Sequence, residues 1–254
     1  MAAANALYIL TGASRGMGAA MADQLLVAGN TLLCISRKLR GGLEAQAKAK
    51  DAHCEQWAMD LATPQPVAER LSQWLASLDA GSFSQASLIN NAGVLSRLGP
   101  LGETNPAELS NALRVGLEAP VLLTATFLRD TQAWAAQRRV LNISSGLGRR
   151  AMAGSASYCA AKAGMDHFSR AVALEEAARS NGAKVVSLAP GVIDTGMQTQ
   201  LRDSDPAGFP DRENFVQLQA KGQLTSPQDA AARVLAYLNR PDFGNTTVAD
   251  VRDA

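Results

Sequence analysis

The chain has 254 residues, 47% of them hydrophobic, with 24 Lys and Arg against 23 Asp and Glu. That length and apolar fraction suit one α/β domain over residues 1–254 with an ordinary buried core. A net charge of +1 leaves no basic field for nucleic acid or an anionic membrane, so neither is expected as a partner.

Cys34, Cys54 and Cys159 are scattered, odd in number and free of CxxC spacing, which excludes a disulfide framework and fits a reducing compartment. The opening MAAANALYIL lacks the basic region and long apolar run of a signal peptide, and no stretch reaches about 20 apolar residues. A soluble cytoplasmic protein is expected.

Leu7 to Leu10 is a short apolar run that stops at Thr11-Gly12-Ala13-Ser14-Arg15-Gly16-Met17-Gly18, and a helix-forming stretch follows to Ala28-Gly29. Strand, glycine turn and helix in that order predict the first βα unit of a dinucleotide fold. The glycines let backbone N–H groups approach a pyrophosphate at the helix N-terminus, where the dipole favours anions. Gly12, Ser14, Arg15, Gly16, Met17 and Gly18 are the candidate cofactor contacts of this turn.

Thr31 to Ile35 reads as the second strand, ending in Ser36-Arg37-Lys38 where an NAD site would carry an Asp or Glu for the ribose 2′-hydroxyl. Cations here, with Arg15 nearby, suit a 2′-phosphate, so Arg37 and Lys38 point to NADP(H). His53 to Met59 is a third strand, followed by Asp60-Leu61 as candidate adenine contacts. His53-Cys54 has no companion ligands, and no metal site is expected.

Residues 65–78 have helical period, and Leu88-Ile89 leads into Asn90-Asn91-Ala92-Gly93. The small residues Asn91, Ala92 and Gly93 would let the backbone pass close to a cofactor. Residues 107–136 read as one long helix bent near Gly116 and Pro120.

Val140 to Ile143 is a strand that runs into SSGLGRRAMAGSASYCAAKAG, the most informative stretch of the chain. Tyr158 and Lys162 lie one helical turn apart, so phenol and ammonium share a face. A neighbouring positive charge favours the phenolate, and Lys162 is expected to draw the Tyr158 pKa towards working pH. Ser145, near the strand's C-terminal end, is placed to hold a carbonyl oxygen as charge builds on it. The three together describe chemistry on a ketone or alcohol.

The Tyr158 helix is read to about Arg179, then Val185 to Ala189 as a strand ended by Pro190-Gly191. Residues 198–214, QTQLRDSDPAGFPDREN, are polar and broken by proline and glycine, which predicts a mobile excursion over the site. Pro227 opens a last helix to about Leu238, with Thr225-Ser226 as cap candidates. Thr246 to Val251 is a closing strand. Strands alternating with helices predict a single Rossmann-type, doubly wound parallel β-sheet with helices on both faces.

TGxxxGxG at Thr11 to Gly18, NNAG at Asn90 to Gly93, YxxxK at Tyr158 to Lys162 and Pro190-Gly191 stand in the order and spacing of the short-chain dehydrogenase/reductase family. The chain resembles that family over nearly all of its length. The resemblance implies NADP(H)-linked catalysis by Ser145, Tyr158 and Lys162, with Lys162 also on the nicotinamide ribose. It implies cofactor contacts at Pro190, Gly191 and Val192, and at Thr195 on the carboxamide. It further implies a homodimer or homotetramer paired through long central helices.

The segments Ala189 to Gln198 and Leu218 to Leu224 are similar to the branch of the family that holds sepiapterin reductase and bacterial benzil-type diketone reductases. That branch implies a substrate-gripping carboxylate at Asp250; on the residues alone, an edge-strand carboxylate in solvent is an equal alternative. One departure is Gly116 in VGLEAP, where the family commonly has Asn. A weakened or water-substituted proton relay is expected there.

The implied reaction is reduction of a small-molecule carbonyl. Leu95, Leu147, Met152, Val192, Met197 and Leu201 offer an apolar lining for an aromatic or otherwise apolar ketone or diketone, or else core packing. The substrate-contact candidates are Ser145, Leu147, Met152, Tyr158, Met197 and Asp250. A 3-oxoacyl or sugar reductase stays open within the same chemistry, as does an NADP-binding sensor with little turnover.

Overall fold

The computed structural model describes residues 5–253; residues 1–4, the start of the stretch weighed as a leader, lie outside them. The strands are β1 (Ala6–Thr11), β2 (Thr31–Ser36), β3 (His53–Ala58), β4 (Gln85–Asn90), β5 (Gln137–Ile143), β6 (Lys184–Ala189) and β7 (Val248–Asp250). They form one parallel seven-stranded sheet in the order β3-β2-β1-β4-β5-β6-β7. Leu10 of β1 lies opposite Ile89 of β4.

The helices are α1 (Gly16–Leu25), α2 (Leu43–Ala49), α3 (Pro64–Ser77), α4 (Pro106–Leu113), α5 (Ala119–Asp130), α6 (Ala156–Ala177), α7 (Gly196–Arg202), α8 (Arg212–Ala220) and α9 (Pro227–Leu238). Met21, Leu43, Val234 and Leu238 from α1, α2 and α9 close one face of the sheet. Val67, Leu71, Leu123, Phe127 and Val172 from α3, α5 and α6 close the other. With both faces covered, β1 is buried at every residue, ALYILT, as its unbroken apolar run requires. The chain winds from β1 out to β3 and returns to β4 on the far side of β1. The C-terminal ends of β1 and β4 therefore flank a crevice, where ligands bind in folds of this class.

The expected long helix over 107–136 is irregular where its bend is expected, near Gly116 and Pro120, and it ends early. A π-helical turn at Arg114–Glu118 separates α4 from α5, and α5 stops at Asp130. Gly116 sits in the π turn, and Pro120 falls in the first turn of α5, where its missing N–H leaves the helical hydrogen-bond ladder one donor short. Beyond Asp130 the Thr131 hydroxyl donates to the Phe127 carbonyl (2.6 Å), and Trp134 stacks on Phe83 with ring centroids 5.9 Å apart. That side-chain packing turns the chain away from helix.

The stretch 198–214 is also more ordered in structure than its composition predicts. Its ends belong to α7 and α8, and Phe209 between them is fully buried, stacked on Phe215 at 5.7 Å. A few apolar residues suffice when they meet the same small cluster, which contains Leu98, Met152 and Leu201. Helix α2 was not anticipated, because LEAQAKA offers only Leu43 and Ala47 to the core. At α9 the expected cap is present: the Asp229 N–H donates to Ser226 Oγ (3.0 Å) and that hydroxyl donates to the Asp229 carboxylate (2.7 Å).

Candidate active site

The glycine turn after β1 is built by exclusion. A Cβ on Gly18 would stand 2.1 Å from the Gly12 carbonyl oxygen, and one on Gly12 would stand 2.9 Å from Ala92 Cα. No side chain fits at either position, so the turn lies directly against the segment that follows β4. The contact is pinned by polar groups. Thr11 Oγ1 accepts the N–H groups of Asn91 and Ala92, each at 3.0 Å, and Asn91 Nδ2 donates to the Thr11 carbonyl at 2.9 Å. The first turn of α1 is thereby held open towards the crevice with unpaired backbone donors, the setting for an anion.

Deeper along the crevice, β5 delivers Ser145 and α6 delivers Tyr158 and Lys162. Ser145 caps a short 3₁₀ turn, accepting the Leu147 N–H at 3.2 Å. Lys162, only 3% exposed, donates from Nζ to the Ile143 carbonyl at 2.7 Å, and its ammonium lies 5.6 Å from the Tyr158 ring centroid. Burial pushes Lys162 down to about 8, opposed by the Asp166 charge.

Part of Tyr158 faces the cavity, yet its phenol is pushed up to about 12 by desolvation, with the Ser145 hydroxyl pulling the other way. The expectation that Lys162 draws the phenol's pKa down is therefore not met here. Burial acts on both groups, and removing an ionisable group from water disfavours its charged form.

One cavity of about 480 Å³ joins these parts. Gly12, Ser14, Arg15, Gly16, Met17, Gly18, Arg37, Asp60, Leu61, Asn91, Ala92, Gly93, Pro190, Gly191, Val192 and Thr195 border it. So do Ser145, Leu147, Met152, Tyr158, Lys162, Met197, Leu95, Leu201 and Asp250. Lys38 is the exception: it is exposed and does not line the cavity. Arg40, two residues on, turns back to Asp23 at 2.9 Å.

Asp250 is not a carboxylate in solvent. It is 8% exposed and is held by Arg252 at 2.6 Å, which lowers its pKa. Gly116 packs its π turn against α6, where a Cβ would stand 3.1 Å from Ala161 Cβ. The bare α-carbon allows the close approach beside Lys162.

Among the lining residues that sequence reasoning did not single out as contacts, two carry unpaired polar atoms. Ser36 at the end of β2 has a buried hydroxyl without a partner, and so has the side-chain oxygen of Gln198 in α7. A buried polar atom left unpaired costs about 1–3 kcal/mol, so both atoms stand out in the cavity wall. Their common signal is weak: a polar residue at a position whose neighbours are buried.

A family model described as short chain dehydrogenase matches residues 6–206. The chain belongs to that family. Among its relatives is the benzil reductase ((S)-benzoin forming) of Bacillus cereus, 34% identical over 92% of this chain and 94% of that protein. Sepiapterin reductase of Rattus norvegicus is 31% identical over 98% of this chain and 97% of its own length. The crystal structure of a metagenomic short-chain oxidoreductase in complex with NADP superposes with a TM-score of 0.69. It is 26% identical, covering 96% of this chain and 94% of that one.

Short-chain dehydrogenases work with nicotinamide cofactors, and the crevice suits one. The cradle at Gly12 and Gly18 leaves backbone exposed where a pyrophosphate would lie. Ser36 and Arg37 border the same cavity at the end of β2.

Proposed function

We propose that this short-chain dehydrogenase is an NADPH-dependent reductase of apolar ketones and diketones, benzil- or sepiapterin-like in class, with Tyr158 as general acid. The observation that carries the reading is a single cavity in which Ser145, Tyr158 and Lys162 face an apolar wall of Leu95, Leu147, Met152, Met197 and Leu201. Its relatives include a benzil reductase and sepiapterin reductases, which supports the same class.

The preference for NADPH rests on the end of β2. Ser36 and Arg37 border the cavity there and Arg15 faces them from the glycine turn, while a 2′-hydroxyl-binding carboxylate is missing from that strand end. Two guanidinium groups and a hydroxyl match a phosphate better than a bare ribose hydroxyl. Lys38, exposed and off the cavity, is not needed for this.

A bound nicotinamide supplies hydride to the carbonyl carbon. Ser145 donates to the carbonyl oxygen as charge builds on it, and removing such a donor typically costs about 3 kcal/mol of transition-state stabilisation. Tyr158, held protonated by its pKa of about 12, gives that oxygen its proton. Lys162 stabilises the phenolate left behind and holds the cofactor ribose. A phenol that stays protonated at working pH suits the reductive direction.

The test is NADPH oxidation with an aromatic 1,2-diketone, sepiapterin, a simple ketone and a 3-oxoacyl thioester, with NADH in parallel. Consumption with the diketone or sepiapterin, and NADPH preferred, is the expected result. Turnover confined to the thioester would transfer the protein to the 3-oxoacyl reductases.

A further inference from the structure

Helix α6 holds the end of β5 residue by residue. Lys162, Asp166 and Ser169 follow Tyr158 at helical spacings and share its face. Asn142 Nδ2 donates to Ser169 Oγ (2.9 Å), Lys162 Nζ donates to the Ile143 carbonyl (2.7 Å), and the Ser144 hydroxyl donates to Asp166 Oδ1 (2.5 Å). Three successive residues of the strand end are fastened, and Ser145 is the next.

Asp166 carries more of this joint than its neighbours. The same Oδ1 accepts the Ser187 hydroxyl of β6 at 2.6 Å, and Arg149 Nε stands 3.3 Å from Oδ2. The side chain is buried at 2% exposure and does not line the cavity. The turn after Ser145 is seated on it: a Cβ on Gly148 would come within 2.8 Å of Oδ2. A carboxylate this far from water needs donors and cations around it. Two hydroxyls, one guanidinium and the nearby Lys162 supply them.

We propose that Asp166 is a positioning residue for the Ser-Tyr-Lys chemistry: without touching substrate, it fixes the strand end leading into Ser145 and sets a carboxylate one helical turn from Lys162. The catalytic consequence rests on the reductase reading above, whereas the electrostatic one does not. The groups facing this pair are few. Tyr158 lies beside Lys162 on the same helix, and Arg149 faces Asp166 from the turn after β5. From β5 and β6 come the neutral Ile143 carbonyl, Ser144 and Ser187, and the π turn presents Gly116. Burial drives Lys162 towards neutrality, and Asp166 is the charge that opposes it.

The experiment is a ¹³C NMR titration of the lysine ε-carbons in the intact protein, with the Lys162 resonance assigned through Lys162→Met. In Asp166→Asn, which keeps the shape and an acceptor but not the charge, the Lys162 midpoint should fall by about one pH unit or more. The basic limb of the kcat/KM profile for NADPH-dependent reduction should move down with it. In Ser187→Ala, which leaves the charge in place, the midpoint should stay at its wild-type value. An unmoved midpoint in Asp166→Asn overturns the proposal. A moved midpoint without carbonyl turnover in any variant, wild type included, would instead count against the reductase reading alone. Should Asp166→Asn fail to fold, the double variant Asp166→Asn/Arg149→Gln removes the guanidinium that Asp166 pairs with as well. Its midpoint, compared with Arg149→Gln alone, gives the same answer.

Discussion

Lys162 donates to the carbonyl of Ile143 at 2.7 Å, so the helix that carries Tyr158 is tied to the strand that ends just before Ser145. The relative placement of hydroxyl, phenol and ammonium is therefore a property of one joint between α6 and β5. Its consequences can be measured.

Tyr158→Phe removes the proton donor while leaving the ring in place. Carbonyl reduction should fall by at least 100-fold on the scale of general-acid catalysis, about 10²–10⁴, with NADPH still bound. Ser145→Ala should lower kcat by about 10²–10³, the loss for one oxyanion donor. Steady-state kinetics with the best diketone, beside NADPH fluorescence titration, checks both. Full turnover in Tyr158→Phe would end the assignment.

The pH profile follows from the buried pair. Lys162 is depressed to about 8 and Tyr158 raised to about 12, so at neutral pH the ammonium is charged and the phenol protonated. As pH rises through about 8, Lys162 loses its charge and the phenolate left by proton transfer loses its stabilisation. kcat/KM for reduction should decline above that pH, well before Tyr158 itself ionises. A rate that stays flat to pH 10 would contradict the placement of Lys162.

Gly18→Ala puts a methyl group 2.1 Å from the Gly12 carbonyl oxygen and 2.5 Å from Asn91 Nδ2. Backbone must move, which costs about 1–3 kcal/mol in overpacked sites. Thermal unfolding should shift downward, and NADPH binding should weaken because the same backbone forms the cradle. Differential scanning fluorimetry with and without NADPH separates the two effects.

Ser36→Asp with Arg37→Ala replaces a hydroxyl and a guanidinium at the end of β2 by a carboxylate. Charge-assisted hydrogen bonds contribute about 1.5–3 kcal/mol each, so the ratio of kcat/KM for NADPH over NADH should drop at least 10-fold. Parallel KM measurements with the two cofactors check it. An unchanged ratio would place the 2′-phosphate elsewhere.

Gln198→Leu fills the same space in the cavity wall with apolar atoms. Substrates carrying a second polar group should lose about 1–2 kcal/mol of transition-state binding, the worth of one hydrogen bond. A simple apolar ketone should be unaffected or improved. Comparing kcat/KM for the two substrate types, with KM for NADPH as control, tests the pairing of this buried carboxamide.

Much of the site was legible because its parts are local. Thr11 to Gly18 is a turn between a strand and a helix, and Tyr158 with Lys162 is one helical turn. Both can be read without knowing what they touch. The segment 198–214 does border the site as expected, but its helical ends were not legible, because they depend on Phe209 and Leu201 meeting Leu98 and Met152, contacts made across the fold. Arg37 and Lys38 are adjacent cations just past β2 and look alike in sequence, and only the folded chain shows that Arg37 borders the crevice and Lys38 does not.

The sequence by itself determined the alternation of strand and helix, the glycine turn and the family of the chain, because hydrophobic period and backbone sterics act over a few neighbouring residues. Only the tertiary structure decided the charges. Burial raises the phenol of Tyr158 and lowers the ammonium of Lys162. It also brings Asp166 of α6, Ser187 of β6 and Ser144 at the end of β5 to a common point. Desolvation and long-range hydrogen bonding depend on what surrounds a group in space, which no run of neighbouring residues contains.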